Sequence, residues 1–297
     1  MKPITVFTPT YNRADLLPRC YESMTKQSCQ NFIWMIIDDG STDSTKELVR
    51  CWMEVNHDFE IQYYFKSNGG LHTAYNEAIA HIETPLCVCI DSDDYMPDDA
   101  IENILSLWEK NGSDKYAGII GLDFKPDGSV IGDLLPQIVS VNLIDLLVGK
   151  YRIKNGDRTL VVRSDLYKKY APMKSFSGEK NFNPHYMHLQ ISKEYDFLVL
   201  NQNLRFVEYQ SDGMSNSILN QYRSSPNSFA ETRKLYLSFP DTPFAFRFRH
   251  SVHLVSSSLL AKNFYKVLKE SSNKTLLILA FPFGCVLTIY ILVRTTK

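Results

Sequence analysis

Apolar and polar positions alternate in blocks along the first half of the chain. Four short apolar runs, each as long as a typical β-strand, lie at 4–8, 32–38, 60–65 and 86–91. After the first run, Leu17, Cys20 and Met24 recur at helical spacing, which predicts an amphipathic helix. The second run, FIWMIID, is apolar almost throughout and therefore indicates a strand that is covered on both faces.

Two further helices are predicted between the strands. The sequence STKE at 44–47 is a capping box, in which Ser44 and Glu47 open a helix. Another helical pattern, GLHTAYNEAIAHI, follows the third strand. Because strands and helices alternate at crossover lengths, the first half predicts an α/β fold with a mainly parallel central sheet and helices on both faces.

The second half of the chain is less regular. Further strands are predicted at 117–124, 158–163, 195–201 and 204–209, with a turn at 125–129. From about residue 228 onward the pattern is helical, and basic residues lie among the apolar ones. A basic amphipathic segment that leads into an uncharged one fits a membrane surface, with a solvated helical face as the alternative interpretation.

The C-terminal stretch 275–293 contains no charged residue and lies between Lys274 and Arg294. As a helix with a rise of about 1.5 Å per residue it would extend roughly 28 Å, close to the thickness of a hydrocarbon core. Pro282 and Gly284 in its centre disfavour a straight span, and a buried terminal helix is the alternative. We expect a membrane-associated tail that either spans the bilayer or lies in its interface.

Composition narrows the classes of function. The 297 residues are 44% hydrophobic and 22% charged, which is a globular balance. The formal net charge of -1 gives no overall basic field for gripping nucleic acid, so no nucleic-acid partner is expected. The six cysteines contain no C-x-x-C pair, which indicates reduced thiols of a cytosolic protein rather than a disulfide framework or a zinc site.

Polar clusters follow all four strands of the first half. They are TPTYNR after the first strand, DDGSTD after the second, SNGG after the third and DSDD after the fourth. In an open parallel sheet, ligands bind outside the carboxyl ends of the strands. We therefore expect the functional site at this edge of the sheet.

The last of these clusters places Asp91 and Asp93 two residues apart at a strand end. Carboxylates in this arrangement suit Mg²⁺ or Mn²⁺, with water and substrate phosphates completing the shell. The alternative is a helix N-terminus, and we assign Asp98 and Asp99 to capping. Asp94 is left undecided between the two roles.

The second and third clusters also offer ligand groups. Asp38 and Asp39 can accept hydrogen bonds from a nucleobase or a ribose hydroxyl, whereas a tight Asp-Gly turn alone explains only Gly40. The sequence SNGG at 67–70 precedes a helix, so its backbone N–H groups can approach a phosphate. Neither G-x-G-x-x-G nor a P-loop lysine is present, which disfavours a Rossmann dinucleotide site and an NTPase.

The chain resembles the family 2 glycosyltransferases of the GT-A fold. Four segments carry the resemblance in order, namely VFTPTYNR at 6–13, DDGSTD at 38–43, NGGLHTAYNEA at 68–78 and IDSDD at 90–94. A weaker match continues through 177–187 and 207–217. The pattern is similar to that of bacterial enzymes that build capsular or other surface polysaccharides.

This resemblance implies a domain organisation. Residues 1–225 would form the GT-A catalytic domain, with a nucleotide-binding half at 1–125 and an acceptor half at 126–225. Residues 226–297 would form a helical, basic and apolar tail at the cytoplasmic face of the cell membrane.

The resemblance also implies roles for individual residues. Asp39, with Asp38 beside it, would bind the base, typically uracil. Asp93 would hold Mn²⁺ or Mg²⁺ on the diphosphate, and Asp91 would contact the nucleotide sugar and serve as the second metal ligand. The other donor-binding residues that it implies are Thr8, Pro9, Tyr11, Asn68, Gly69 and Asn76.

The implied enzyme is an inverting, hexosyltransferase-type glycosyltransferase. It would move a sugar from a nucleotide donor, in the first place UDP, to a glycan acceptor on a lipid carrier. The acceptor hydroxyl must lose its proton to a base. The matching stretch offers Glu179 and His185, the latter where relatives often carry an acid; Glu179 is the favoured base and His185 the alternative.

Two other functions remain in view. A sugar nucleotidyltransferase would need a Gly-rich, basic loop after the first strand, and TPTYNRAD lacks glycine. The alternative is a catalytically idle, membrane-tethered protein that binds nucleotide sugars. Such a protein would need no base, and we consider it because the identity of the base is uncertain.

Overall fold

The computed structural model describes residues 2–154, 156–210 and 217–295. Its β-strands are β1 (Ile4–Thr10), β2 (Phe32–Asp38), β3 (Glu60–Phe65), β4 (Leu86–Cys89), β5 (Tyr116–Phe124), β6 (Ser140–Val141), β7 (Arg158–Arg163) and β8 (Asp196–Phe206). Its α-helices are α1 (Leu17–Thr25), α2 (Thr45–Met53), α3 (Leu71–His81), α4 (Ala100–Asn111), α5 (Leu143–Leu147), α6 (Ser164–Tyr170), α7 (His185–Ile191), α8 (Ile218–Ser224), α9 (Pro226–Leu237), α10 (Phe244–Leu260), α11 (Phe264–Glu270) and α12 (Lys274–Thr295).

The strands form one sheet with the order β3-β2-β1-β4-β7-β5-β8-β6. Strand β1 pairs in parallel with β2 and β4, and β2 pairs in parallel with β3. Strand β5 is parallel to β8, whereas β7 runs antiparallel to β4 and β5, and β6 runs antiparallel to β8. The prediction of a mainly parallel sheet is confirmed.

Helices pack on both faces of this sheet. Ile4 and Val6 of β1 belong to a buried cluster that includes residues of α1, α2 and α4. Phe7 points to the other face, where it packs edge-on against Tyr75 of α3 with ring centroids 4.9 Å apart. Since successive side chains of a strand point to opposite faces, an apolar strand such as β1 needs a layer on each side.

One long strand, β8, replaces the two strands that the sequence predicts at 195–201 and 204–209. In its pairing with β5, Gly121 lies opposite Leu200, whereas Leu122 lies opposite Asn203. This bulge takes up the polar residues between the two apolar runs without ending the strand.

The predicted helix caps are wrong in their hydrogen bonds. Ser44 lies at the N-cap of α2, but its side chain makes no capping bond. Oδ1 of Asp43 accepts instead from the backbone N and Oγ1 of Thr45, at 3.1 and 2.6 Å. Asp99 lies at the N-cap of α4 and also makes no side-chain capping bond, so only its charge favours that helix.

The chain divides into two compact units. The first consists of Met1–Met173 and Met187–Glu208, and it contains the sheet. The second consists of Lys174–Tyr186 and Tyr209–Lys297. The divisions therefore lie at 173–174, 186–187 and 208–209, rather than at the residue 225 expected from the sequence.

Helix α12 of the second unit combines a narrow packed stripe with a broad exposed apolar surface. Gly284 lies against α10, where a Cβ would approach Cγ1 of Val255 to 2.4 Å. Ile278, Val286 and Val293 are exposed. With a mean hydropathy of 2.6 in its most apolar window, α12 is the one described helix that is long and apolar enough to cross a membrane.

Candidate active site

The loops after β1 and β2 are joined at the carboxyl edge of the sheet. Oδ1 of Asn12 accepts a hydrogen bond from the backbone N of Thr42 at 2.8 Å, and the backbone N of Asn12 donates to Oγ of Ser41 at 2.9 Å. The backbone N of Ala14 donates to Oδ2 of Asp43 at 3.1 Å. The first two polar clusters thus form one surface.

Asp39 holds the glycine-rich loop that follows β3. Its buried carboxylate accepts hydrogen bonds from the backbone N of Gly69 at 2.9 Å and of Gly70 at 2.7 Å. Nζ of Lys66 lies 2.6 Å from Oδ1, and Nδ2 of Asn68 lies 3.1 Å from Oδ2. Protein donors therefore already engage both oxygens, and the predicted contact of Asp39 with a nucleobase stays a prediction.

Asp38 also acts inside these loops. Its carboxylate is buried and accepts from the backbone N of Ser41 at 2.7 Å and from Oη of Tyr63 at 2.6 Å. Burial, together with this bond to Asp38, raises the pKa of Tyr63. Gly40 between the loops has φ of 86°, and a Cβ there would lie 2.8 Å from the backbone N of Asn68, so the turn requires glycine.

The first motif divides between the core and the surface. Thr8 and Pro9 are buried, and Oγ1 of Thr8 accepts from Nε1 of Trp34 at 2.9 Å. Tyr11 is 48% exposed. Thr10, which the sequence did not single out, has a buried hydroxyl without a hydrogen-bond partner in the described part of the chain. Tyr11 is therefore the best placed of these residues to contact a ligand.

Asn76 serves the packing of α3. Its Nδ2 donates to the backbone O of Met173 at 3.0 Å, and its Oδ1 accepts from the backbone N of Met173 at 2.8 Å. Both ends of the amide are used, so its predicted contribution to the donor region would be through the position of α3.

A single guanidinium binds three carboxylates at the end of β4. Nη1 of Arg205 in β8 lies 3.1 Å from Oδ2 of Asp91 and 3.3 Å from Oδ2 of Asp94. Its Nη2 lies 2.5 Å from Oδ2 of Asp123, whose Oδ1 accepts from Oγ1 of Thr159 at 2.6 Å. Arg205 thus offsets part of the repulsion in the acidic motif and fixes Asp91 and Asp94 beside each other.

Two of these carboxylates, those of Asp94 and Asp91, have raised pKa values. Burial raises the pKa of Asp94 to about 8; Arg205 opposes this effect, and Asp91 and Asp93 add to it. Burial also raises the pKa of Asp91, whose side chain is 42% exposed; Arg205 opposes this effect, and Asp93 and Asp123 add to it. A cation beside these groups would favour their ionised forms.

Asp93 differs from its neighbours because its carboxylate makes no hydrogen bond or ion pair with a described residue. Its backbone O accepts from Nη2 of Arg19, and the guanidinium of Arg19 lies over the ring of Tyr95 at 4.8 Å. The backbone is therefore fixed while the acid group stays available for a ligand.

The carboxylates of Asp91 and Asp93 fit a divalent cation of the magnesium type. No preassembled group of three or more His, Cys, Asp or Glu ligands occurs among the described residues. Magnesium and manganese need few protein carboxylates, because water and substrate phosphates fill the other positions. The free carboxylate of Asp93 and the exposed part of Asp91 meet that requirement.

Glu179 lies in the second unit, at the N-terminus of α9. Its Oε1 accepts from the backbone N and Nδ2 of Asn227, at 2.9 and 2.8 Å. Its Oε2 accepts from the backbone N and Oγ of Ser228, at 2.8 and 2.7 Å. A buried carboxylate with four donors at a helix N-terminus is a capping group, so these contacts favour a structural role for Glu179.

His185 lines a cavity of about 200 Å³ in the second unit. Burial lowers its pKa to about 4, so the imidazole is neutral at pH 7. A neutral imidazole can accept a proton, and the low pKa makes it a weak base. The other stretch of the weaker match, 207–217, lies mostly outside the described residues.

Arg205 and Lys66 are not among the site residues that the sequence predicts. Arg205 lies between the apolar residues Leu204 and Phe206 of a predicted strand, and Lys66 directly precedes the SNGG sequence. A lone cation on a strand, or next to a glycine-rich loop, is the signal that could have identified them.

A family model described as Glycosyl transferase family 2 matches residues 5–186. Chondroitin synthase from Pasteurella multocida (strain Pm70) is 30% identical over 130 residues, which are 44% of this chain and 13% of that protein. A teichoic acid poly(glycerol phosphate) polymerase from Staphylococcus epidermidis is 33% identical over 104 residues, which are 34% of this chain and 14% of that protein. The chain thus matches only a small part of the length of these relatives.

Solved structures with a similar fold cover nearly the whole chain. S. aureus TarS in complex with UDP-GlcNAc has a TM-score of 0.60 at 17% identity, over 94% of this chain and 79% of that chain. The mannosyltransferase PcManGT from Pyrobaculum calidifontis, in complex with GDP-Man and Mn²⁺, has a TM-score of 0.57 at 17% identity, over 99% of this chain and 83% of that chain. At this identity the similarity is one of fold.

Proposed function

The chain belongs to glycosyl transferase family 2 and has the GT-A fold, and we propose that it transfers a sugar from a nucleotide donor to a glycan acceptor. A UDP-sugar is the proposed donor class, since TarS of the same fold is in complex with UDP-GlcNAc. Relatives named as chondroitin synthase and teichoic acid polymerase support a role in the synthesis of a surface polysaccharide.

The observation that carries this proposal is the free carboxylate of Asp93 at the carboxyl end of the sheet. It lies two residues from Asp91, which Arg205 holds in place at 3.1 Å. The neighbouring loop at 67–70, fixed by Asp39, directs the start of α3 to the same edge. A diphosphate and a divalent ion would be bound by these groups.

Mn²⁺ or Mg²⁺ bound there would supply charge stabilisation of the departing diphosphate. The chain itself would hold that ion through Asp93 and Asp91, and Arg205 would keep the Asp91 carboxylate oriented. Transfer would invert the anomeric centre, as the acceptor hydroxyl would attack from the side opposite the leaving nucleotide.

The acceptor hydroxyl must lose a proton during this attack. Of the two candidates, Glu179 has four hydrogen bonds to the start of α9, whereas His185 lines a cavity. We therefore favour His185, with its neutral imidazole as the acceptor of the proton. His185→Gln should lower kcat by about 10²-fold or more with little change in nucleotide affinity.

Helix α12 would bring the enzyme to the cytoplasmic face of the membrane. Its apolar side chains are largely exposed, and its uncharged stretch lies between Lys274 and Arg294. Exposed apolar surface of this extent and basic ends favour insertion into a bilayer. A lipid-linked glycan would be the natural acceptor for an enzyme at that surface.

The test begins with binding of UDP in the presence and absence of Mn²⁺, measured by calorimetry. Asp93→Asn is expected to abolish the Mn²⁺-dependent part of UDP binding, because it removes the free charged ligand. Asp98→Asn is the matched control, since Asp98 is exposed on the same segment. A variant at position 93 that binds like wild type would refute the proposed site.

Release of UDP from a panel of UDP-sugars with a lipid-linked acceptor then tests the reaction. A second candidate function is a nucleotide-sugar-binding protein without activity, which the engagement of Glu179 and the low pKa of His185 favour. Mn²⁺-dependent UDP binding without any turnover would support this second function, and turnover would exclude it.

A further inference from the structure

The cavity in the second unit contains an arginine, Arg233, that forms no ion pair with an acidic side chain of the described residues. Arg233 of α9 lines the cavity together with Tyr222 and His185. None of the described Asp and Glu residues forms an ion pair with Arg233. Glu231, two positions earlier on α9, is paired with Lys174 instead. A half-buried guanidinium to which the described residues bring no counter-charge is unusual, because burial of an uncompensated charge is unfavourable.

The groups around Arg233 are neutral donors and acceptors. Its Nη2 donates to Oη of Tyr222 at 2.5 Å, and its Nη1 lies 3.2 Å from Nδ1 of His250. The guanidinium carbon lies 5.3 Å from the ring centroid of Tyr236. Its Nε is buried and has no hydrogen-bond partner in the described residues. These contacts orient the guanidinium, and none of the described ones brings a carboxylate to it.

The two histidines behind Arg233 support this arrangement. Burial, followed by the charge of Arg233, lowers the pKa of His250 to about 3 and that of His253 to about 4. Nδ1 of His253 lies 3.3 Å from Oη of Tyr222, so a chain of polar contacts runs from Arg233 through the phenol to this imidazole. Neutral imidazoles neither balance the guanidinium nor compete with it for an anion.

From these contacts we infer that the cavity binds a phosphate or diphosphate group, with Arg233 as its principal ligand. The cavity of about 200 Å³ has the volume of roughly six waters, which accommodates such a group. The half-buried Asn181 and Thr232, together with the exposed Asn183, line the cavity and carry further polar groups. Arginine is well suited to this ligand, because its planar fork matches phosphate oxygens.

The same chemistry has two sources, a lipid-linked diphosphate and a soluble phosphate compound. The phosphate site itself is inferred from the contacts of Arg233. Only the choice of the lipid-linked diphosphate as natural ligand rests on the proposed function. If wild type turned over no UDP-sugar, the proposed function alone would be refuted. If anion binding did not depend on Arg233, this site alone would be refuted.

The experiment titrates the full chain with inorganic pyrophosphate by calorimetry, with excess UDP present to occupy a nucleotide site. Wild type is expected to bind, and Arg233→Gln should bind about tenfold or more weakly, because charge-assisted hydrogen bonds are lost. Lys234→Gln, the same loss of charge at the next position, should match wild type. Equal binding by wild type and Arg233→Gln would overturn the inference.

A second arm compares sedimentation with phosphatidylcholine vesicles that contain or lack a polyprenyl diphosphate. If more protein sediments with vesicles that contain the diphosphate lipid, and this increase depends on Arg233, the ligand is the lipid. If Arg233 affects only the binding of pyrophosphate, the ligand is a soluble compound.

A third measurement needs no variant and so does not depend on how Arg233→Gln folds. Phenylglyoxal modifies accessible arginines, and peptide mass spectrometry can follow Arg233 in wild type. Pyrophosphate should slow modification of Arg233 severalfold while leaving the exposed Arg249 unchanged. Modification of Arg233 at the same rate with and without pyrophosphate would contradict the site.

Discussion

The carboxylate of Asp39 orders the loop at 67–70 through contacts with Lys66 and the backbone of Gly69 and Gly70. In Asp39→Asn the charge is lost and one of the two oxygens becomes a donor, which leaves a backbone N–H without its acceptor. We expect the free energy of unfolding to fall by about 2 kcal/mol or more. Urea unfolding without nucleotide measures this loss separately from any effect on ligand binding.

The control for this change is Asp98→Asn, which alters an exposed carboxylate in the same way. It should stay within about 0.5 kcal/mol of wild type. If the two variants were equally stable, the contacts of Asp39 would not support the loop.

Asp94 should make stability depend on pH. Its folded pKa of about 8 lies above the unfolded value of about 3.9 for Asp, so the folded state binds the proton more tightly. This contribution to stability is complete below about pH 4 and is lost as the pH rises through about 8. Asp94→Asn, which cannot ionise, should therefore show a flatter decline of unfolding free energy between these pH values.

Urea unfolding at a series of pH values gives both profiles. Asp98→Asn should keep the slope of wild type, because that carboxylate is exposed. Parallel profiles for wild type and Asp94→Asn would show that Arg205 or solvent already satisfies the charge of Asp94.

Single residues differ in how far the sequence can predict them. The positions of Asp38, Asp39, Asp91 and Asp93 follow from the ends of apolar runs, because such runs define strands and parallel strands share an edge. The partner of Asp91 does not follow, since Arg205 is 114 positions away along the chain. Such a contact depends on the order of strands, which the hydrophobic pattern does not contain.

At the scale of elements, a continuous apolar run identifies a strand and its limits well. The predicted bounds of β2, β3 and β7 are those of the structure. The bulge in β8 was not predicted, because its polar residues resemble a turn in the sequence. Only the pairing with β5 keeps the strand continuous. The capping bond of α2 was assigned to the wrong residue, because Asp43 and Ser44 are both good capping residues and local geometry decides between them.

The contact of α12 with α10 depends on the absence of a side chain at Gly284. A Cβ there would lie 2.4 Å from Val255, so Gly284→Leu must separate the two helices. Overpacking of this kind costs about 1–3 kcal/mol, and we expect a lower unfolding temperature in detergent. Val286→Leu enlarges an exposed side chain on the same helix and should leave that temperature unchanged. Equal unfolding temperatures would show that the helices are not in this close contact.

At the scale of the whole molecule, the sequence indicates a catalytic domain and a helical tail but not the observed division. Lys174–Tyr186 belongs to the second unit although it lies between parts of the first. Glu179 explains this placement in part, because its carboxylate binds the start of α9. The sequence around Glu179 has no feature that indicates a contact with a helix start about fifty positions later, so the hydrophobic pattern does not assign this segment to the second unit.

The attachment of the whole molecule to a membrane can be tested without removing α12. Ile278, Val286 and Val293 are exposed, whereas Leu277, Ala280 and Gly284 are buried. Replacing the three exposed residues together by lysine keeps the packed stripe and puts three charges on the surface that would meet lipid. The cost is largest for Val286, near the middle of the helix, because a lysine at the centre of a bilayer costs about 2.5–3.5 kcal/mol. The variant should move from the membrane to the soluble fraction of expressing cells and keep the UDP affinity of wild type. Lys266→Arg, which exchanges one positive side chain for another at an exposed position of α11, serves as the control. If the triple variant stayed in the membrane fraction, α12 would not be the attachment, and the basic residues of α10 and α11 would be the remaining candidates.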